Sequence, residues 1–212
     1  MNPIQIGRKR LSEIVWGIID ERVSEVEYEV IERIIEEQQA CRSSTDYNAG
    51  SVSYDDAIEL YRIVKYFRPH AIAEVGTFIG VSTLTMNLAL ERLVDIYTCD
   101  ASSGIDLNVP NIFQYPNKPS YEMFADMAEK GVRADLIYLD GRLGQQDYEP
   151  LTKIVHDDTV FIFGDFEGVE KGVINAMMVE SGLRVLIYPR ENKKTAISIP
   201  FTLLRVVPQE II

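Results

Sequence analysis

The stretch Ala73-Glu74-Val75-Gly76-Thr77-Phe78-Ile79-Gly80-Val81-Ser82-Thr83 limits what this chain can fold into more than any other. A short apolar run stops at a glycine, and an amphipathic segment opens directly after a second glycine. That is a buried strand, a tight turn and a helix start in immediate succession. In open α/β sheets such a turn lies outside the carboxyl end of its strand, where ligands bind beside the switch in strand order. The missing side chains at Gly76 and Gly80 let a ligand come close to the backbone. The helix start behind them supplies free N–H groups and the positive end of a dipole, suited to an anionic group. A nucleotide or nucleoside cofactor is the natural occupant. Three residues separate the two glycines and no lysine follows, so neither the dinucleotide fingerprint nor a phosphate loop is present.

Around this stretch, strand-like and helix-like segments alternate. Ala71–Val75, Asp95–Cys99, Leu136–Leu139 and Thr159–Phe163 read as strands, and Val81–Arg92, Ser120–Lys130, Tyr148–Val155 and Val169–Ser181 as helices. Strands separated by helices require parallel crossovers. Arg184–Tyr188 and Ala196–Val206 are joined by a polar link without a helix, so they pair antiparallel. The expected architecture is α/β: a three-layer, doubly wound, mostly parallel sheet of about seven strands with an antiparallel C-terminal strand.

Upstream, Leu11, Val15, Ile19, Val23, Val26, Val30 and Ile34 recur at helical spacing. Ser24 and Glu27 form a capping-box pattern that starts a second helix within the run. Ser53 with Asp56 caps a further helix that Pro69 stops. The chain thus divides into a helical extension over residues 1–50 and an α/β domain over residues 51–212. Packing against the body, pairing with a second copy in a homodimer, and serving as a lid are all compatible with the stripe.

Lys and Arg number 21 against 33 Asp and Glu, a formal net charge of −12. That balance excludes nucleic acid and anionic membrane surfaces as expected partners, because both reward clustered positive charge. No apolar run is long enough to span a bilayer, and the first residues lack the apolar stretch of a signal peptide, so a soluble, cytoplasmic protein is expected. Cys41 and Cys99 form no zinc or disulfide pattern. Two histidines, His70 and His156, are too few for a multi-histidine metal site.

The glycine turn has companions in the right order. The second strand ends at Asp100, 24 residues past Gly76. Ala134-Asp135-Leu136-Ile137-Tyr138-Leu139-Asp140-Gly141 is another strand ending in an acid, and Phe161-Ile162-Phe163-Gly164-Asp165 is a third. Together with Glu74-x-Gly76-x-x-x-Gly80 these resemble the class I S-adenosylmethionine-dependent methyltransferases. From about residue 45 to 206 the order of elements resembles the small O-methyltransferases, of the catechol and sugar types. The resemblance implies S-adenosylmethionine as cofactor and an oxygen of a small molecule as methyl acceptor. By position, Glu74 and Gly76 line the methionine part, with Thr77, Phe78 and Gly80 in the same turn. Ser82 meets the methionine carboxylate, Asp100 holds the ribose, and Asp140 lies near the sulfonium. Asp140, Asp165 and Glu167 are the candidate catalytic groups, acting directly or through a magnesium ion.

The pattern is broken in two places. Phe166 stands where metal-dependent members carry Asn or Asp, and Gly141-Arg142-Leu143-Gly144 stands where sugar-type members carry a histidine. Glu167 substitutes as a ligand if the chain is extended there, since positions 165 and 167 then share a side; the metal stays open. Ile105–Pro119, where the family places a full helix, contains Pro110, Pro116 and Pro119, so a short or missing helix is expected. His70 and His156 fall at the opposite strand ends from the acids and read as surface residues, and Cys99 reads as a buried strand residue. Two further readings stand beside the enzyme: a non-catalytic cofactor-binding relative, and a nicotinamide-dependent oxidoreductase on a similar sheet.

Overall fold

The strands are β1 (Ala71–Val75), β2 (Asp95–Asp100), β3 (Ile112–Pro116), β4 (Leu136–Leu139), β5 (Val160–Phe163), β6 (Arg184–Tyr188) and β7 (Thr202–Val207). They form one sheet in the order β3-β2-β1-β4-β5-β7-β6. Only β7 runs against its neighbours, pairing antiparallel with both β5 and β6. The structure is a computed structural model and describes residues 13–42, 51–101, 105–164, 167–182, 184–188 and 201–207.

Alternate side chains of each strand point to opposite faces, and the two faces carry separate cores. Ile72, Ile96, Leu136, Tyr138, Ile162 and Leu203 face one way. That side is covered by α1, whose described part is residues 13–20, and by α2 (Glu25–Ala40), α3 (Tyr54–Phe67) and α4 (Val81–Leu88). Ala73, Val75, Tyr97, Ile137, Leu139, Phe161 and Phe163 face the other way. They pack against α5 (Ser120–Glu129), α6 (Tyr148–Ile154) and α7 (Glu167–Glu180). The result is the expected three-layer α/β sheet. β1, β4 and β5 are buried along their whole length, which is why β4 and β5 read as unbroken apolar runs rather than as alternation, and β1 does so but for Glu74.

Local signals at the helix starts are present as read. Ser24 accepts the Glu27 N–H while the Glu27 carboxylate accepts the Ser24 N–H at 2.6 Å. The Ser53 hydroxyl accepts the Asp56 N–H, and α3 ends at Phe67 before the Arg68-Pro69 pair.

Four expectations need correction. The N-terminal stripe is only partly right: Val15 and Val23 pack half-buried against the core, but the buried residues are Ile14, Ile18 and Ile31, Val26 is 67% exposed, and Leu11 lies outside the described residues. Two helices interrupted at residues 21–24 do not share one helical phase. The segment after Val81 stays helical only to Leu88, because Asn111 Nδ2 donates to both Asn87 Oδ1 and the Val94 carbonyl and draws the chain back into β2. The segment 105–119, for which the prolines give only a short or missing helix, supplies the edge strand β3, where Pro116 is tolerated at the strand end. Between β2 and β3 the described residues contain no helix, as expected. Finally, Glu167 opens α7 and does not lie in an extended segment, so the geometric ground for pairing it with Asp165 is lost.

Ile14, Ile18 and Ile31 belong to the same core as α3 and β1. A polar cluster reinforces that packing: Tyr61 Oη donates to Glu27 Oε1, and Lys65 Nζ reaches Glu27 Oε1 at 3.3 Å and the Arg22 carbonyl at 3.0 Å. Among the described residues no helix is long and apolar enough to cross a membrane.

Candidate cofactor site

β1 has β2 on one side and β4 on the other, so the strand order reverses there and the crevice outside these carboxyl ends is the ligand position. The ladders place Val75 level with Cys99 and Leu139, and Leu139 level with Phe163. The residues that follow, Gly76, Asp100, Asp140 and Gly164, therefore form one row along the rim. Gly76 leaves β1 at φ +106°, and a Cβ there would lie 3.0 Å from the carbonyl carbon of Asp140. Only glycine allows both the conformation and the approach. Gly80, at φ +82°, is the N-cap of α4, and Leu107 lies where its Cβ would be, so the space over this glycine is taken by the chain itself and not, as expected, by a ligand.

Phe78, between the glycines, also has positive φ, +44°. Its N–H donates to Asp100 Oδ2 at 2.7 Å, so the acid at the end of β2 is oriented by the turn at the end of β1. On the outer side, the Arg42 guanidinium lies 5.4 Å from the centre of the Phe78 ring.

Beneath the turn, Glu74 is fully buried. Its Oε1 accepts the Ser82 hydroxyl at 2.5 Å, and its Oε2 accepts those of Thr83 at 2.5 Å and Thr98 at 2.6 Å. Thr77 Oγ1 lies 2.5 Å from Thr98 Oγ1; with the Thr98 proton directed at Glu74, Thr77 is the donor. One carboxylate thus ties β1, β2 and the first turn of α4 together. Burial pushes its pKa above the usual carboxylate range, against the opposing effect of the three hydroxyls.

Asp140 follows β4, its N–H donating to the Val75 carbonyl at 2.9 Å. Its carboxylate lies against Gly164, where a Cβ would overlap Oδ1. The loop beyond is held by the buried Asp147, which accepts the Ser120 hydroxyl and the Gly144 N–H, both at 2.5 Å.

The structure therefore gathers Glu74, Gly76, Thr77, Phe78, Gly80, Ser82, Asp100 and Asp140 at or directly beneath one rim. Asp165 lies outside the described residues. Among the described residues, no three His, Cys, Asp or Glu side chains assemble to hold a metal. At the far end of the sheet His70 and His156 share one carboxylate: His156 Nε2 lies 2.8 Å from Asp135 Oδ1, and His70 Nδ1 lies 3.3 Å from Asp135 Oδ2. Cys99 is buried, which holds its thiol far above its ordinary pKa. Sequence reasoning missed Thr83, Thr98, Leu107 and Arg42. Two of these carried a local signal: Thr83, beside Ser82 in the glycine-turn stretch, and Thr98, a polar residue inside the apolar run of β2.

No family model matches the sequence, and no curated relative matches it. Solved structures do share its fold. An O-methyltransferase from Bacillus cereus, solved in complex with SAH, is 14% identical, with a TM-score of 0.54 over 84% of this chain and 90% of its own. The O-methyltransferase TomG from Streptomyces achromogenes, involved in tomaymycin synthesis and solved with SAM, is 14% identical, with a TM-score of 0.58 over 91% and 94%. The SAH-bound methyltransferase PaMTH1 from Podospora anserina is 10% identical, with a TM-score of 0.58 over 98% and 96%. The chain has the Rossmann-like methyltransferase fold.

Proposed function

We propose that this protein is an S-adenosylmethionine-dependent methyltransferase acting on an oxygen of a small-molecule acceptor. The observation that carries the reading is Asp100, an acid at the end of β2 held by the Phe78 N–H beside the glycine turn of β1. The donor set suits the cofactor: a carboxylate for two ribose hydroxyls, free N–H groups at the start of α4 for the methionine carboxylate, and the Asp140 rim beyond. Bound S-adenosylmethionine supplies an electrophilic methyl group on a sulfonium.

This chain's part is alignment and proton removal. Displacement at a methyl group depends on a held line of attack, which the rim of Gly76 and Asp140 defines. Asp140, at the rim beyond β4, is our candidate to accept the acceptor's proton; Asp165 joins it on the strength of the sequence alone. Among the described residues no three ligating side chains assemble around a cation at this rim, and Asp165, the second candidate ligand, lies outside them. The burial of Ile14, Ile18 and Ile31 inside the subunit supports a packed appendage for α1 and α2 rather than a homodimer interface.

Calorimetry with S-adenosylhomocysteine, and separately with NAD, tests the reading. Charge-assisted hydrogen bonds of about 1.5–3 kcal/mol each mean that Asp100→Ala should weaken S-adenosylhomocysteine at least tenfold. Binding of NAD in place of S-adenosylhomocysteine would overturn the proposal.

A further inference from the structure

Arg42 directly follows Cys41, the C-cap of α2. Its position is set by the body of the protein, because Ile31 is fully buried in the core and Glu27 is tied to α3 through Tyr61 and Lys65. From there its guanidinium lies over the Phe78 ring, 5.4 Å from the ring centre. Phe78 is an unusual residue to lean on. It holds φ +44°, a left-handed conformation that costs an L-residue free energy and persists only where its surroundings enforce it. Its N–H donates to Asp100 Oδ2 at 2.7 Å. The four elements form a series: the C-terminal end of α2, the Phe78 ring, the Phe78 N–H, and the carboxylate at the end of β2.

We propose that Arg42 is a positioning residue for the nucleoside part of the cofactor. By holding the Phe78 ring, it keeps the turn in the left-handed conformation that aims the N–H at Asp100, and so aims Asp100 at a ribose. Arg42 acts through Phe78 and needs no contact with the ligand. This inference rests on the proposed function. It makes the N-terminal helices part of the cofactor site, without their closing over it as a lid.

The test is calorimetry of S-adenosylhomocysteine binding to wild type, Arg42→Ala, Arg42→Lys, Phe78→Leu and the Arg42→Ala/Phe78→Leu double variant. A cation–π contact at a partly exposed site predicts a loss of about three- to tenfold in affinity for each of Arg42→Ala and Phe78→Leu. The double variant should bind no worse than about the weaker single one, since both remove the same contact. Arg42→Lys should keep most of the affinity, because an ammonium also sits on the ring. A purely structural contact would lower the melting temperature of the free protein and leave affinity unchanged. Arg42→Gln takes the place of Arg42→Ala if the latter does not fold. A loss under threefold in Arg42→Ala, or single losses that multiply in the double variant, overturns the inference. Wild type that binds no S-adenosylhomocysteine overturns both this inference and the proposed function. Binding that Asp100→Ala weakens and Arg42→Ala does not overturns this inference alone.

Discussion

The Ser82 hydroxyl donates to Glu74 Oε1 across 2.5 Å, which directs a side chain at the start of α4 down into the sheet. Thr83 and Thr98 make the equivalent contact with Oε2. Glu74→Ala leaves three hydroxyls without their acceptor, each at about 1–3 kcal/mol. Urea denaturation should show a loss of about 3 kcal/mol or more, and Glu74→Gln, which keeps the shape and one acceptor, should lose less. Burial raises the Glu74 pKa above 4.5, so the folded state holds a proton there more tightly than the unfolded chain. That contribution is complete below pH 4.5 and is lost as pH rises through the folded value. The advantage of wild type over Glu74→Gln should therefore narrow from pH 4 towards neutrality; a gap that widens would contradict the buried geometry.

Glu27 has the opposite sign. Burial pushes its pKa up, but the Ser24 backbone N–H, the Tyr61 and Ser24 hydroxyls and the Lys65 ammonium outweigh it and hold the value at about 2. Its contribution is present above pH 4.5 and is lost as pH falls towards 2. The side chain is partly exposed, so screening leaves about 1 kcal/mol at pH 7. Denaturation of Glu27→Gln at pH 7, 5 and 3 should show that difference at the first two values and a shrinking one at the third.

Ile31→Ala should lower unfolding free energy by about 2–4 kcal/mol, as expected for a large-to-small change in a packed core. Val26→Ala, on the exposed face of the same helix, should change it by less than about 0.5 kcal/mol. Light scattering of Val26→Glu checks the outer face: an altered subunit number would make that face an interface between copies.

Gly80→Ala meets two obstacles, the positive φ and the Leu107 side chain. The conformational part alone costs about 1–2 kcal/mol. Leu107→Ala made on top should recover the steric part and leave the conformational one, so the double variant should be more stable than the two single losses predict. Simple additivity would mean that Leu107 already moves aside.

Gly164→Ala drives a methyl group into Asp140 Oδ1, far from Asp100 and the ribose position. With an acceptor that wild type methylates, kcat should fall at least tenfold while affinity for S-adenosylhomocysteine changes less than threefold. Equal losses in both would move Asp140 from the reacting centre to the cofactor pocket.

The sequence alone determined the features that depend on neighbours a few residues away. The turn from β1 into α4 was legible because a strand, two glycines and a helix start lie in one short stretch. The Ser24 and Ser53 caps were legible because a cap bonds two or three residues along. The acids at 100 and 140 followed from where buried runs end. Tertiary structure decided everything carried by pairs distant in the chain. Thr98 reaches Glu74 only because β2 lies beside β1, and Arg42 reaches Phe78 only because the Ile31 face of α2 is seated in the core. His70 and His156 share Asp135 only because their strand ends are neighbours in the sheet. The phase of the N-terminal stripe, the end of α4 at Leu88 and the existence of β3 were settled in the same way. A local pattern records which residues prefer burial or a cap, but the partner that buries or caps a distant residue is chosen by the packing of the whole sheet.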